Sequence, residues 1–208
     1  MPILKDFLYN FTKNDKTNQY IETGTYLGHG IMCVLNNYEN IHSIELSEKW
    51  YEYNVEQFKN NKNVKIHLGD SKKILPQLLN NINEPVTIYL DAHYSGSPTA
   101  FGDEETPLLF ELDILKNRIY DDIIIIDDCR MLGKTGESGS PNHPIYPTMI
   151  YDWRNITENN IIHLMKEGYI LLKNDNKLYT DGAPDQFILI KNKNIQPQSF
   201  IKYKILQL

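Results

Sequence analysis

Residues 22–30 read Glu22-Thr23-Gly24-Thr25-Tyr26-Leu27-Gly28-His29-Gly30 and directly follow a short apolar segment, Tyr20-Ile21. The apolar segment is predicted to be a β-strand, and residues 30–38 a helix. Glycines between a strand and a helix let the backbone turn tightly and approach a ligand, while the helix N-terminus offers free N–H groups. The pattern predicts a ligand-binding loop, although a tight turn without a ligand is the alternative. The residues expected to contact a ligand are Glu22, Gly24, Thr25, Gly28 and Gly30.

Strands and helices alternate along the rest of the chain. Further strands are predicted at 41–45, 64–68, 86–90 and 123–126, and helices at 71–81, 107–116 and 155–166, with another helix that Ser47 caps. The segments 169–172 and 187–190 are predicted to pair as a hairpin. Alternation of this kind implies crossover connections and a parallel sheet. We therefore expect an α/β fold, doubly wound and Rossmann-like, with seven mostly parallel strands and an antiparallel C-terminal hairpin.

Acidic residues follow several of these strands, where a doubly wound sheet binds its ligands. Glu45 ends the second strand about 20 residues beyond the glycines, where a carboxylate can accept hydrogen bonds from both hydroxyls of a ribose. A solvated strand end or a helix cap is the alternative for Glu45. Gly69-Asp70-Ser71 follows the third strand. Asp70 there could hold an adenine amino group, cap the next helix, or do both.

Three carboxylates are expected side by side at the ends of strands four and five, because Asp91 follows one and Asp127-Asp128 the other. Crowded carboxylates repel one another unless they are protonated or share a cation. We therefore predict that Asp91, Asp127 and Asp128 bind a divalent cation, Mg²⁺ being the first choice. For the Asp pair, a turn after a hydrophobic strand is the alternative. His93 is the candidate catalytic base, with Asp91 in that role if no metal binds. Asp91 is also expected among the cofactor-binding residues.

These features, in this order, resemble class I S-adenosylmethionine-dependent methyltransferases. Glu22-x-Gly24-x-x-x-Gly28-x-Gly30 is similar to their cofactor loop, Glu45 to the acid that binds the ribose, and Gly69-Asp70-Ser71 to the motif beside the adenine. The ETGTYLG form of the loop is similar to that of the macrocin and novobiocin sugar O-methyltransferases. In that group an Asp after strand four and an Asp pair after strand five bind magnesium near the acceptor hydroxyl, which implies the same for this chain. The stretch Asp91-Ala92-His93-Tyr94 departs from that group.

The resemblance implies an O-methyltransferase that uses S-adenosyl-L-methionine (SAM) and a divalent metal to methylate a small hydroxyl compound, such as a sugar or nucleotide-linked sugar. The long loops Ser95–Glu105 and Met131–Thr148 leave strands four and five beside the metal candidates and are expected to form the acceptor pocket. The second loop is expected to be mobile and to close over the acceptor. Arg130, Lys134 and His143 either meet a phosphate on a carrier or are solvated.

Two other functions fit parts of the sequence. Thr23-Gly24-x-x-x-Gly28-x-Gly30 and Tyr169-x-x-x-Lys173 also match the nucleotide motif and catalytic pair of NAD(P)-dependent short-chain dehydrogenases. That family carries the pair on a helix, whereas residues 169–172 are predicted to be a strand. A noncatalytic binding module with the same fold is the third candidate, although clustered carboxylates without a function would be destabilising.

Length and composition limit the remaining classes. The 208 residues suit a single domain (1–208) with an N-terminal helical segment (1–18) and a C-terminal tail (192–208). No apolar run approaches the roughly 20 residues of a membrane helix, and no signal peptide is apparent, so a cytoplasmic protein is expected. A net charge of −6 without a dense basic block argues against nucleic-acid binding, while a homo-oligomer is compatible with the sequence.

Overall fold

The structure of the protein is a computed structural model that describes residues 17–96, 99–143, 148–165, 168–174, 185–191 and 203–207. Almost all of the predicted N-terminal helical segment lies outside these residues. Within them, the predicted fold is confirmed: a mostly parallel sheet carries helices on both faces and ends in an antiparallel hairpin. None of the helices in the described ranges is long and apolar enough to cross a membrane.

The strands in the parallel half of the large sheet are β1 (Gln19–Thr23), β2 (Asn40–Glu45), β3 (Val64–Leu68), β4 (Val86–Leu90) and β5 (Ile123–Ile126), and those in its antiparallel half are β8 (Tyr169–Asn174), β9 (Gln186–Lys191) and β10 (Tyr203–Gln207). Their order across the sheet is β10-β8-β9-β5-β4-β1-β2-β3. The helices are α1 (His29–Val34), α2 (Glu48–Gln57), α3 (Ser71–Leu79), α4 (Leu108–Leu115) and α5 (Glu158–Met165).

Two apolar cores lie on opposite faces of the sheet. Ile123 and Ile125 point into one core, and Ile124 and Ile126 into the other, so all four residues of β5 are buried. A strand without polar residues is buried on both faces of a sheet, because its successive side chains point to opposite faces. The two cores fix the register of β5 beside β4 and thereby the relative positions of the residues that follow both strands.

Three features differ from the expectations. The predicted C-terminal tail contains β10, an eighth strand, which pairs with β8. The predicted loop Met131–Thr148 contains β6 (Thr135–Ser138), which forms a separate two-stranded sheet with β7 (Met149–Asp152). The Ser47 side chain does not cap α2; instead, the Ser47 backbone N–H donates to Glu45 Oε1 at 2.7 Å. Ser47 therefore occupies the predicted N-cap position of α2, but its side chain does not make the hydrogen bond expected of a cap.

The strand order reverses at β1, which has β2 on one side and β4 on the other. The connections that leave β1 and β4 therefore diverge to opposite faces of the sheet and open a crevice at the carboxyl ends of both strands. A cavity of about 370 Å³ occupies this crevice. It lies where the sequence predicts the functional residues.

Candidate functional site

The glycine loop between β1 and α1 forms one wall of the cavity. Gly24 has a φ of +85°, and a Cβ there would lie 2.3 Å from the Asp91 carbonyl oxygen, so that only glycine fits. Gly24 and Gly30 line the cavity, as do Glu22 and Thr25. Gly28 is not among the lining residues, because it packs against the Asn54 side chain of α2. The contact of Gly28 with a ligand stays a prediction.

Glu22 is buried behind this loop. Its carboxylate accepts hydrogen bonds from Ser43 Oγ at 2.8 Å and Tyr20 Oη at 3.2 Å, and Ser43 is in turn hydrogen-bonded to the Thr25 hydroxyl. Burial raises the pKa of Glu22 to about 8. Glu22 therefore anchors the loop and offers a carboxyl group whose charge a neighbouring cation would stabilise.

Glu45 and Asp70 lie at the carboxyl ends of β2 and β3 and line the same cavity. Glu45 Oε2 accepts from the Tyr26 N–H at 2.8 Å, and burial raises the pKa of this carboxyl group. The Thr25 and Leu46 N–H groups also hydrogen-bond to this carboxylate, so a ligand hydroxyl would share its oxygens with backbone donors. Asp70 caps α3 through a 2.8 Å bond from the Lys72 N–H, which confirms one of the roles predicted for it. Its neighbour Ser71 is buried and hydrogen-bonded to Glu111.

Asp91, His93 and Asp128 meet at the other end of the cavity. His93 bridges the two carboxylates, with Nδ1 at 3.3 Å from Asp91 Oδ1 and Nε2 at 3.1 Å from Asp128 Oδ2. Burial acts to lower the pKa of His93, but the charges of Asp128 and Asp91 outweigh it and raise the pKa to about 9. The imidazole is therefore protonated at neutral pH in this arrangement. It can accept a proton only after another cation has offset the carboxylates.

Two of the three aspartates predicted to bind a metal, Asp91 and Asp128, come together with His93, and the third, Asp127, has other partners. One ligand atom each from Asp91, His93 and Asp128 lies within 4.8 Å of the others, which suits a shared cation. Asp127 instead accepts hydrogen bonds from Tyr89 Oη and, at 3.2 Å, from Gln186 Nε2. Burial, reinforced by the Asp128 charge, raises the pKa of Asp127 well above its ordinary value. The available set is thus two carboxylates and one imidazole, a mixed set that Mn²⁺ and Zn²⁺ accept as well as Mg²⁺.

Both long loops reach the cavity, as predicted for an acceptor pocket. Ser95 and Thr99 come from the first loop, and Ser138 and Gly139 from the second. Arg130 also lines the cavity, but its guanidinium is paired with Asp128 and Asp185. Lys134 and His143 are not among the lining residues. A phosphate-bearing carrier would therefore have to compete with two carboxylates for Arg130.

The pair expected of a short-chain dehydrogenase lies elsewhere. Tyr169 and Lys173 are on β8, which β9, β5 and β4 separate from β1. Lys173 Nζ donates to Glu158 of α5 at 2.7 Å, and neither residue lines the cavity. The dehydrogenase alternative is therefore not supported, because its catalytic pair cannot reach a ligand on the glycine loop.

Two buried residues of the site are absent from the sequence predictions. Glu111 occupies the apolar stripe of α4 and is 1% exposed, and its carboxylate accepts hydrogen bonds from Ser71 and Thr23. The sequence did carry a signal for Glu111, namely a charged residue within the apolar pattern of α4, three positions after Leu108 and one before Leu112. Trp153 is 2% exposed and packs edge-on against the His93 ring, with centroids 5.6 Å apart. No local sequence pattern indicates that Trp153 contacts His93.

The fold matches solved methyltransferase structures, although no known family model and no curated protein matches the sequence. The chain is similar to the O-methyltransferase TomG from Streptomyces achromogenes, involved in tomaymycin synthesis and solved with SAM, at 14% identity and a TM-score of 0.62 over 92% of this chain and 80% of that one. An O-methyltransferase from Bacillus cereus, solved with S-adenosylhomocysteine (SAH), is 16% identical, with a TM-score of 0.60 over 92% and 82%.

A third similar structure is the N-terminal domain of EvdMO1, solved in the presence of SAH and D-fucose. It is 10% identical to this chain, with a TM-score of 0.54, and the match covers 93% of this chain and 82% of that domain. At identities this low, the three likenesses show the fold of the chain.

Proposed function

We propose that this protein is a SAM-dependent methyltransferase that methylates a hydroxyl group of a small, sugar-like molecule. One observation carries the proposal: a single cavity at the switch point of the sheet is lined in turn by Gly24, Glu45, Asp70 and Asp91. The cavity volume of about 370 Å³ lies in the range of ligand sites. The structures with this fold that contain SAM or SAH support the choice of cofactor.

The order of the lining residues along the cavity suggests how SAM would lie in it. The ribose hydroxyls would donate to Glu45, and the adenine edge would face Asp70. The methionine portion would then follow the glycine loop past Gly24 and Gly30, with its ammonium group near the Glu22 carboxyl. This order would leave the methyl group beside Asp91 and His93, at the end of the cavity formed by the acceptor loops.

The reaction would be an in-line displacement. An acceptor oxygen would bond to the methyl carbon while the carbon–sulfur bond breaks with its electron pair staying on sulfur, so that the sulfonium would become the uncharged thioether of SAH. The hydroxyl proton passes to His93 or, when His93 is charged, to Asp91. Positioning and exclusion of water supply most of the catalysis, because the sulfonium is already activated. Trp153 and Asp128 would hold the His93 ring at the acceptor.

A divalent metal is the second part of the proposal. Asp91 and Asp128, with His93 between them, offer the ligands, and a bound cation would lower the pKa of the acceptor hydroxyl. If Asp91 and Asp128 alone held the cation, its charge would offset theirs and lower the pKa of His93, which could then accept the proton; if His93 were itself a ligand, it could not be the base. A sugar-like acceptor fits the polar hydroxyls of Ser95, Thr99 and Ser138, and EvdMO1 was solved in the presence of D-fucose.

The experiment combines binding with turnover. Isothermal titration with SAM, SAH and NADP⁺ should give heat with the first two only; binding of NADP⁺ without SAM would contradict the proposal. Transfer of labelled methyl from SAM is then measured over a panel of sugars, glycosides and amines. Activity towards the accepted hydroxyl compound should fall after EDTA treatment and return with Mg²⁺ or Mn²⁺. Full activity after exhaustive chelation would remove the metal from the mechanism but leave the methyltransferase assignment intact.

A further inference from the structure

Tyr26, in the middle of the glycine loop, has a left-handed backbone conformation with a φ of +47°. A residue with a side chain holds this conformation only where its surroundings fix it. Tyr26 and the next residue, Leu27, both line the cavity. The groups that fix the Tyr26 peptide therefore set the shape of the wall against which a cofactor would lie.

Two buried side chains hold Tyr26 from opposite sides. The Tyr26 N–H donates to Glu45 Oε2 at 2.8 Å, and the Tyr26 carbonyl oxygen accepts from Asn54 Nδ2 at 2.6 Å. The Tyr26 ring packs edge-on against Trp50, with centroids 4.8 Å apart. The loop is thus clamped between the end of β2, which carries Glu45, and α2, which carries Trp50 and Asn54.

The surroundings of Asn54 fix the orientation of its side-chain amide towards Tyr26. Its side chain is completely buried, and Asn54 Nδ2 also donates a hydrogen bond to the Trp50 carbonyl oxygen at 2.7 Å. Both acceptors are carbonyl oxygens, so the NH₂ group must face them and the amide cannot be reversed. The opposite atom, Oδ1, would be 2.4 Å from a Cβ at Gly28. The same side chain therefore fixes Tyr26 and requires glycine at position 28.

We propose that Asn54 is a positioning residue for the cofactor. It does not line the cavity, but it holds the Tyr26 peptide in line with Glu45, so that the loop is already in its binding conformation before SAM arrives. A preorganised loop loses less conformational entropy on binding, which raises affinity without any direct contact. The inference rests on the proposed placement of SAM in this cavity.

Asn54→Asp tests the idea, because it keeps the shape of the side chain and puts an oxygen where the NH₂ group faces two carbonyls. Asn63→Asp is the matched control: Asn63 Nδ2 also donates to two carbonyl oxygens, those of Leu35 and Tyr38 at 3.1 Å each, but these acceptors follow α1 and Asn63 is not among the residues that line the cavity. Both variants are expected to melt at lower temperature than the wild type. SAM binding is measured by titration calorimetry well below both melting temperatures.

We expect Asn54→Asp to raise the Kd for SAM at least about tenfold, the effect of losing one well-made hydrogen bond, and Asn63→Asp to leave it within about twofold. Equal Kd values for the two variants would overturn the inference and leave Asn54 with a role in stability alone. If Asn54→Asp does not fold, Asn54→Ser removes the amide without adding a charge, and the same comparison applies. Failure of the wild type to bind SAM would instead refute the proposed function.

Discussion

Glu45→Gln is the most direct test of the proposed cofactor site. In the wild type, the two Glu45 oxygens accept from the Tyr26 N–H at 2.8 Å and the Ser47 N–H at 2.7 Å, and the carboxylate is 6% exposed. Glutamine has the same shape but only one acceptor oxygen. Its NH₂ group would face one of the two backbone N–H groups, so one bond becomes a contact between donors, and the charge that would hold the ribose is lost.

The size of the effect follows from the bonds that change. A hydrogen bond to a charged group contributes about 1.5–3 kcal/mol, and a buried donor left without an acceptor costs a similar amount. One such bond to the ribose, lost on substitution, gives about 2 kcal/mol, which corresponds to about a 30-fold rise in the Kd for SAM. The loop distortion acts in the same direction, so this value is a lower bound.

The measurement pairs titration calorimetry with thermal unfolding, and Asp122→Asn is the matched control. Asp122 is also a buried carboxylate that accepts a backbone N–H, that of Val86 at 3.0 Å, but it lies at the opposite edge of the sheet. Both substitutions should lower the melting temperature, and only Glu45→Gln should weaken SAM binding. An unchanged Kd for Glu45→Gln, or an equal loss in both variants, would refute the assignment of Glu45 to the ribose.

Three further predictions concern the surroundings of the site. Burial raises the pKa of Glu111 from 4.5 to about 7, so the folded state binds the Glu111 proton more tightly than the unfolded state does. The stability that this proton contributes to the fold is complete below pH 4.5 and is lost as the pH rises through 7. Glu111→Gln should therefore raise the free energy of unfolding at pH 8 by up to about 3 kcal/mol relative to its effect at pH 4, in urea titrations at both values; a pH-independent difference would show that folding does not raise the pKa of Glu111. Gly30→Ala places a Cβ 2.1 Å from Glu22 Oε2 and should cost about 1–3 kcal/mol of stability, which Glu22→Ala in the same chain should partly restore; no restoration would place the strain elsewhere. Hydrogen exchange at Thr135–Ser138 should slow when SAM and Mg²⁺ are added, because an isolated two-stranded sheet is only marginally stable, whereas equally slow exchange in both conditions would make this segment a fixed wall.

The sequence by itself determined the fold and the edge of the sheet that carries the site. Alternating strand and helix periods imply a parallel sheet, and the uniformly apolar run 123–126 could only be a strand buried on both faces. Because the carboxyl ends of parallel strands share one edge, acids after successive strands had to gather there, as Glu45, Asp70 and Asp91 do.

Only the tertiary structure decided how the side chains at that edge pair. Asp127 and Asp128 are neighbours in sequence, but Asp128 has a left-handed φ of +54°, and the two carboxylates serve different partners: Asp127 joins Tyr89 and Asp128 joins His93. Asn54 likewise looks like an ordinary polar residue of α2 until the helix packs against the glycine loop. The periodic spacing of hydrophobic residues is a local property, so it can be read directly from the sequence. The partner of a buried polar group is set by backbone turns and by elements distant in the chain, because such a group bonds to whatever donor or acceptor packing brings within reach.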